Sequence, residues 1–395
     1  METRIPQSSF WHKAPFVCLA LGAACLVAWA LGYNQNPERA MYSYLFSFVS
    51  VLSIALGCMV FVIIQHLTRA GWSVVVRRVA EAGMAVMPLF ALLFIPIAWT
   101  AGSLFPWAHI DPNDIALMRK ASYLNLPFML SRSAVYLVVW MVIGVWFYRT
   151  SVAQDEGKLP ENTRKMWFMS APSILLFALT VTFASFDWIM SLQPHWYSTI
   201  FGVYFFAGCL LSGLAFMTLI CLGLQNAGVL KADITSEHYQ DLGKLMFAFV
   251  VFSTYIGFSQ FMLYWYANIP EEVEFYAHRL NHGWGFVSYA LPITNFFVPF
   301  FILMSRHVKR NRLALTLACF YILVVHFLDL YWLMLPTYGA HAEEVPHMEI
   351  TQGDLLSLIG MLFIYMGCVA FILVRNRVAP VGDPRMNESL AFENF

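Results

Sequence analysis

Apolar residues along this chain fall into ten blocks: 14–31, 45–67, 82–104, 122–148, 167–192, 198–224, 243–268, 280–305, 312–335 and 352–374. A helical run of 18 or more apolar residues covers about 30 Å of hydrocarbon, so the pattern predicts ten transmembrane helices. Trp107, Trp146, Trp167, Trp196, Tyr264 and Trp265 crowd the block ends, where amphipathic rings sit at headgroup depth. Pro88, Pro96, Pro127, Pro172, Pro292 and Pro299 lie within blocks and should kink their helices, with neighbours satisfying the freed backbone. The short links 193–197 and 306–311 make the helices on either side antiparallel neighbours. Ala28-Trp29-Ala30 resembles a signal cleavage site, but its block is 18 residues long and is read as a retained first helix.

Polar positions set the topology. The N-terminal tail, the loops 68–81, 149–166, 225–242 and 306–311, and the C-terminal tail, with flanking first-turn residues, hold 18 of the 23 Lys and Arg. The opposite loops hold Arg39, Arg119, Lys120 and Arg279, and Arg132 lies within a block. By the positive-inside rule both termini are cytoplasmic. The chain is 60% hydrophobic and 12% charged with mean hydropathy +0.65, against about 25% charged for soluble domains, so it reads as one integral membrane domain spanning 1–395. Net charge is zero, and no nucleic-acid partner is suggested. All seven cysteines fall within apolar blocks with no CxxC or CxxCH, so neither an iron–sulfur cluster nor a covalent c-type haem belongs to this chain.

Titratable groups inside the blocks are the candidate chemistry. Residues 175–207 run apolar to Asp187, break at Gln193-Pro194-His195 and turn apolar again; a carboxylate at that depth marks an ion, proton or ligand route. At about 1.5 Å rise per residue, Asp187, His326, Asp329, His282 and Asp354 fall in the outer third of the membrane. His66, Glu81, Asp241 and Lys244 fall near the inner surface. Arg132, Asn295, Tyr136, Tyr255 and Ser259 lie between, so two titratable clusters with a polar middle outline a proton path. His326 and Asp329 are three apart and share a helix face, where carboxylate and imidazole can exchange a proton or bond a quinone carbonyl. Arg132 needs a carboxylate partner or carbonyls, as a structural group or as an electrostatic gate. His66 and Glu81 fit either ordinary interface positions or proton uptake. A b-type haem would need two histidines at matching depth, and His282 and His326 differ in depth. No HExxH, phosphate-binding glycine loop or nucleophile elbow occurs.

Spans five and nine run in the same direction and carry Ser185-Phe186-Asp187-Trp188 and His326-Phe327-Leu328-Asp329-Leu330-Tyr331-Trp332. Four helices of offset suggest a parallel duplication, spans two to five (45–192) and six to nine (198–335). Glu271, Glu272 and Glu274, with Glu343, Glu344 and Glu349, make the outer loops acidic, either as solvated loops or as a dock for a basic partner such as a cytochrome.

ASFDWIMSLQPHWYSTIFGVYFFAG (184–208), FSQFMLYWYANIPEEVEFYAHR (258–279) and HGWGFVSYALPITNFFVPFFILMSRHVKRN (282–311) resemble the second large membrane subunit of bacterial alternative complex III, in the polysulfide-reductase membrane-subunit (NrfD-like) superfamily. The resemblance covers roughly 40–375. It implies an all-α polytopic fold: two four-helix bundles with one flanking helix at each end (14–31 and 352–374) and a cytoplasmic tail (375–395). It further implies a bacterial cytoplasmic-membrane subunit of a quinol:cytochrome c, or high-potential iron–sulfur protein, oxidoreductase. Its partners would be a paralogous membrane subunit, an iron–sulfur subunit, multihaem cytochrome c subunits, small membrane subunits, lipids and a terminal oxidase. Haem and iron–sulfur clusters are expected in those partners, and quinone association and a transmembrane proton route in this subunit. Asp187, His326 and Asp329 are the positions that carry over, as proton-route candidates. Two other readings stay open: that this chain itself oxidises quinol through His326, Asp329 and His282, and that it is a secondary transporter coupled through Asp187 and Asp329.

Overall fold

The computed structural model describes residues 3–109, 113–157, 159–281, 283–339 and 348–393, and their regular structure is entirely helical. Among the described residues, nine helical spans are each long and apolar enough to cross a bilayer, and a tenth is bent. The first span is α1 (Ala14–Gly32) and the second α2 (Pro37–Leu67). The third is broken into α3 (Val74–Ala85), α4 (Met87–Leu93) and α5 (Ile95–Leu104), with a 50° bend. Pro88 and Pro96 each sit in the first turn of the piece they open, where their missing N–H is tolerated. The Leu93 carbonyl at the break accepts a hydrogen bond from the Tyr44 hydroxyl at 2.9 Å, so a neighbouring helix satisfies the freed backbone. A short α6 (Ile115–Lys120) leads to α7 (Leu126–Gly157) and α8 (Pro160–Trp188), the fourth and fifth spans.

The second half follows. It contains α9 (Phe201–Asn226), α10 (Ser236–Ala267), a short α11 (Pro270–Leu280), and α12 (Gly285–Pro292) joined to α13 (Val298–Met304) by a π-helical turn at Ile293–Phe297. A single turn, α14 (Arg306–Arg310), leads to α15 (Arg312–Met334). The last span is α16 (Gln352–Arg375), and the tail ends in α17 (Met386–Leu390). The predicted spans thus recur, but α2, α7 and α10 extend beyond their apolar blocks. Hydropathy marks only the hydrocarbon-crossing part, and side-chain caps carry a helix further. Asn36 accepts from Arg39 N, and a Thr235–His238 capping box opens α10.

α2 is the centre of the molecule. It packs against α3, α5 and α8 on one side, α9 on another and α16 on a third, and 94% of its most apolar stretch is buried. α9 in turn packs on α10 and α15, so the halves meet along α2 and α9. A Cβ on Gly57 would lie 1.8 Å from the Cys209 carbonyl oxygen, and one on Gly213 would lie 2.5 Å from the Gly57 carbonyl carbon. Backbone therefore meets backbone there, as small residues allow between membrane helices. α1 and α16 pack on each other through Gly22, Gly360 and Gly367. The outward surface is apolar, with Phe168, Leu175, Leu179, Phe258 and Trp99 exposed, while charges turn inward, the arrangement a lipid-embedded bundle needs.

The segment at Thr3 and the tail after α16 gather at one end, called inner here. Val378 N donates to the Thr3 carbonyl at 2.8 Å, Gly382 N donates to Asp155 Oδ1 at 3.0 Å, and Ser389 Oγ donates to the Trp72 carbonyl at 2.6 Å. The tail is accordingly not a free strand: Val378, Ala379, Asp383 and Ser389 are buried beneath the inner loops.

Candidate functional site

Asp187 ends α8 with no measurable exposure, and its partner comes from the preceding span. Arg132 of α7 donates from Nε to Oδ2 and from Nη2 to Oδ1, both at 2.8 Å, a two-pronged pairing. Tyr136, one turn along α7, donates to Oδ2 at 2.8 Å. Arg132 also donates to the Tyr123 carbonyl at 3.1 Å and stacks on the Tyr123 and Phe128 rings. The sequence requirement that Arg132 find a carboxylate is met by Asp187. A carboxylate so held cannot take a proton without leaving a guanidinium unpaired in the membrane.

Asp329, in the same direction on α15, is held differently. Tyr204 Oη of α9 donates to its Oδ1 at 2.6 Å, and Asn295 Nδ2 donates to the same oxygen at 3.4 Å. Among the described residues no cation pairs with it. Asn295 lies in the π-helical turn between Pro292 and Pro299, a local irregularity that recurs at functional sites. Asp329 is half-buried, and it can gain or lose a proton without breaking an ion pair.

His326 lies one turn away but faces a different neighbour. Its ring fills the space over Gly208 of α9, where a Cβ would come within 2.9 Å, and its Nε2 meets Ser53 Oγ of α2 at 2.8 Å. Ser53 Oγ donates to the Ser50 carbonyl at 2.7 Å, which leaves its lone pair for an Nε2–H. The two side chains share a helix face, as their spacing predicts, yet no hydrogen bond or ion pair joins them among the described residues. α9 links them instead, with Tyr204 and Gly208 one turn apart beneath Asp329 and His326.

Both halves also share a smaller device. The Trp188 indole donates to Ser133 Oγ on the preceding span at 2.9 Å, and the Trp332 indole donates to Ser288 Oγ on its preceding span at 2.7 Å.

The remaining predicted residues scatter. Glu81 is fully buried between Arg77 (3.0 Å) and Arg78 (2.9 Å), which also hold Asp383 of the tail and Asp155 at the end of α7. His66 is buried nearby, ring to ring with Phe147, and its Nε2 has no hydrogen-bond partner among the described residues. Asp241 and Lys244 pair at 2.8 Å near the start of α10. Tyr255 is 64% exposed on the outward face of α10, away from the interior it was expected to line. Ser259 is half-buried on α10. His282, Glu343 and Glu344 lie outside the described residues.

Three polar groups were not singled out by sequence reasoning. Arg39 grips Asp354 at 2.6 Å and 2.8 Å, with Ser43 and Tyr331 donating to the same carboxylate, and so ties α2, α15 and α16 together. Tyr204 was hidden in an apolar block. Arg279 counted as a loop cation but is 1% exposed. It donates to the carbonyls of Phe275, Trp332 and Leu333 and to Gln193 Oε1, and it stacks on the Phe275 ring. Burial lowers its guanidinium to about 9, partly opposed by Tyr276 and Tyr204, so it stays charged at neutral pH.

The described residues contain no cluster of His, Cys, Asp and Glu that could hold a metal ion. No family model matches the chain, and no curated protein matches it.

Proposed function

We propose that this chain is an integral membrane subunit of a quinol-oxidising, alternative-complex-III-type assembly in the bacterial cytoplasmic membrane, with both termini cytoplasmic. In this reading it braces its redox partners and contributes one proton-transfer station, Asp329. The observation that carries the reading is the contrast between the two outer carboxylates. Asp187 is locked to Arg132, whereas Asp329 has hydroxyl and amide donors but no cation among the described residues. Tyr204 supplies the hydroxyl through which a proton can pass on, and His326 with Ser53 forms a second polar step toward α2.

A quinone fits poorly at His326 in this chain. The imidazole packs over Gly208, and its Nε2 is engaged by Ser53 Oγ within the chain. In this reading quinol chemistry belongs to a partner subunit. The multihaem cytochrome and iron–sulfur partners follow from the resemblance alone.

The test is Asp329→Asn in the intact complex, reconstituted in sealed vesicles with quinol and an external electron acceptor. Protons released per electron should fall while subunit composition and thermal stability stay at the wild-type level. An unchanged proton yield in a fully assembled variant would remove Asp329 from the route.

A further inference from the structure

The inner end carries a cavity of about 290 Å³ between the end of α2, the start of α8 and the tail. That is far more than one water, whose share of liquid volume is about 30 Å³. Four guanidiniums line it, from Arg69, Arg77, Arg164 and Arg385, against one carboxylate, Asp383. Arg77 is matched by Glu81 and Asp383, and Arg385 by Glu388. Arg69 and Arg164 have no carboxylate partner among the described residues. Arg69 is held in place without one. It adopts left-handed backbone (φ 53°) just beyond α2, and its guanidinium lies 3.6 Å over the Trp167 ring.

The wall of the same cavity holds a second polar group. His66 lines it and is only 3% exposed, yet its Nε2 is a buried polar atom with no partner. Buried polar atoms are seldom left so, and those that are call for an explanation. A phosphate entering from the open side would give the two unmatched guanidiniums a common acceptor beside that nitrogen.

The surroundings decide which phosphate. Trp167 stands at the headgroup end of α8, and from the next residue an exposed apolar stripe (Phe168, Leu175, Leu179) climbs the outside of that helix. An acyl chain can lie along this stripe while its headgroup stays in the cavity, a continuity that a free phosphate does not use. Basic pockets between spans on the cytoplasmic side suit anionic lipid headgroups. We infer that this cavity binds the phosphate of an anionic glycerophospholipid through Arg69 and Arg164, with the folded tail as its floor. The inference is independent of the proton-route reading.

The test uses the full chain with whatever subunits co-purify, in phosphatidylcholine nanodiscs titrated with phosphatidylglycerol or cardiolipin and followed by thermal unfolding. Wild type should be stabilised by anionic lipid. In the Arg69→Gln/Arg164→Gln variant the apparent lipid affinity should fall about thirtyfold, from roughly fivefold for each cation near an anionic surface. The charge-matched control Arg149→Gln/Lys165→Gln removes two exposed cations from the ends of α7 and α8, outside the cavity, and should keep the response. Equal loss in the control, or an unchanged response in the double variant, overturns the site. Stabilisation by inorganic phosphate alone to the same extent overturns the lipid assignment. Native mass spectrometry of the wild type needs no substitution: one anionic phospholipid should be retained in preference to phosphatidylcholine, and equal retention overturns the proposal.

Discussion

The strongest quantitative consequence of the structure concerns Asp187→Asn. The change keeps the size of the side chain and the acceptor for Tyr136, but it leaves Arg132 as a cation in the bilayer without its counter-charge. Removing one partner of a buried ion pair typically costs about 3–5 kcal/mol. Here the lower end applies, because the Arg132 side chain is 12% exposed, keeps the Tyr123 carbonyl and keeps the Tyr123 and Phe128 rings. About 3 kcal/mol is roughly a hundredfold in the folding equilibrium. The assay is reversible unfolding in mixed micelles as the denaturing detergent fraction rises, run on Asp187→Asn, Arg132→Gln and the double variant. Each single variant should lose stability, and the double variant should regain most of the loss of Asp187→Asn, since two neutral amides leave no stranded charge. If Asp187→Asn unfolds like wild type while proton release falls, Asp187 is a proton carrier and the bracing role is refuted.

Other expectations follow from the same geometry. Tyr204→Phe should reduce proton release less than Asp329→Asn, because Asn295 still donates to the carboxylate; a larger loss than in Asp329→Asn would displace Asp329 from the centre of the scheme. Ser53→Ala strands the His326 ring nitrogen and should cost about 1–3 kcal/mol in the same unfolding assay. Gly213→Val should abolish folded protein on size exclusion, whereas Gly32→Ala, with nothing near its added carbon, should be neutral. Burial lowers Arg279 to about 9 from 12.5, so the unfolded chain binds more protons only between those values. Its burial penalty is therefore constant near neutrality and relaxes as pH rises above about 9. The stability difference between wild type and Arg279→Gln should be flat from pH 6 to 8; a slope there would contradict a fully charged guanidinium.

The ten spans were legible because hydrocarbon thickness imposes a length that apolar blocks must meet, and even the bent third span announced itself through Pro88 and Pro96. Partnerships between spans were less legible. Arg132 needed a carboxylate, but several lay at comparable depth, and only the packing of α7 on α8 selects Asp187. Spacing put His326 and Asp329 on one face of α15 correctly. It could not reveal that α2 and the π-helical turn approach that face at different heights and draw the two side chains to separate partners. Tyr255 was misjudged because depth along a helix says nothing of which side it faces. The docking of the tail was not legible, since it depends on Arg77, Arg78 and Ser389 finding partners hundreds of residues away.

The glycine crossing of α2 and α9 limits how this protein can work. Where main chains touch, no side chain is left to swing aside, and sliding either helix would drive a carbonyl oxygen into its neighbour's backbone. A cycle that rocks one half of the molecule against the other would have to pry that seam open at every turnover. The fold is better suited to work done with both halves stationary, in which only hydrogen nuclei and water need to move.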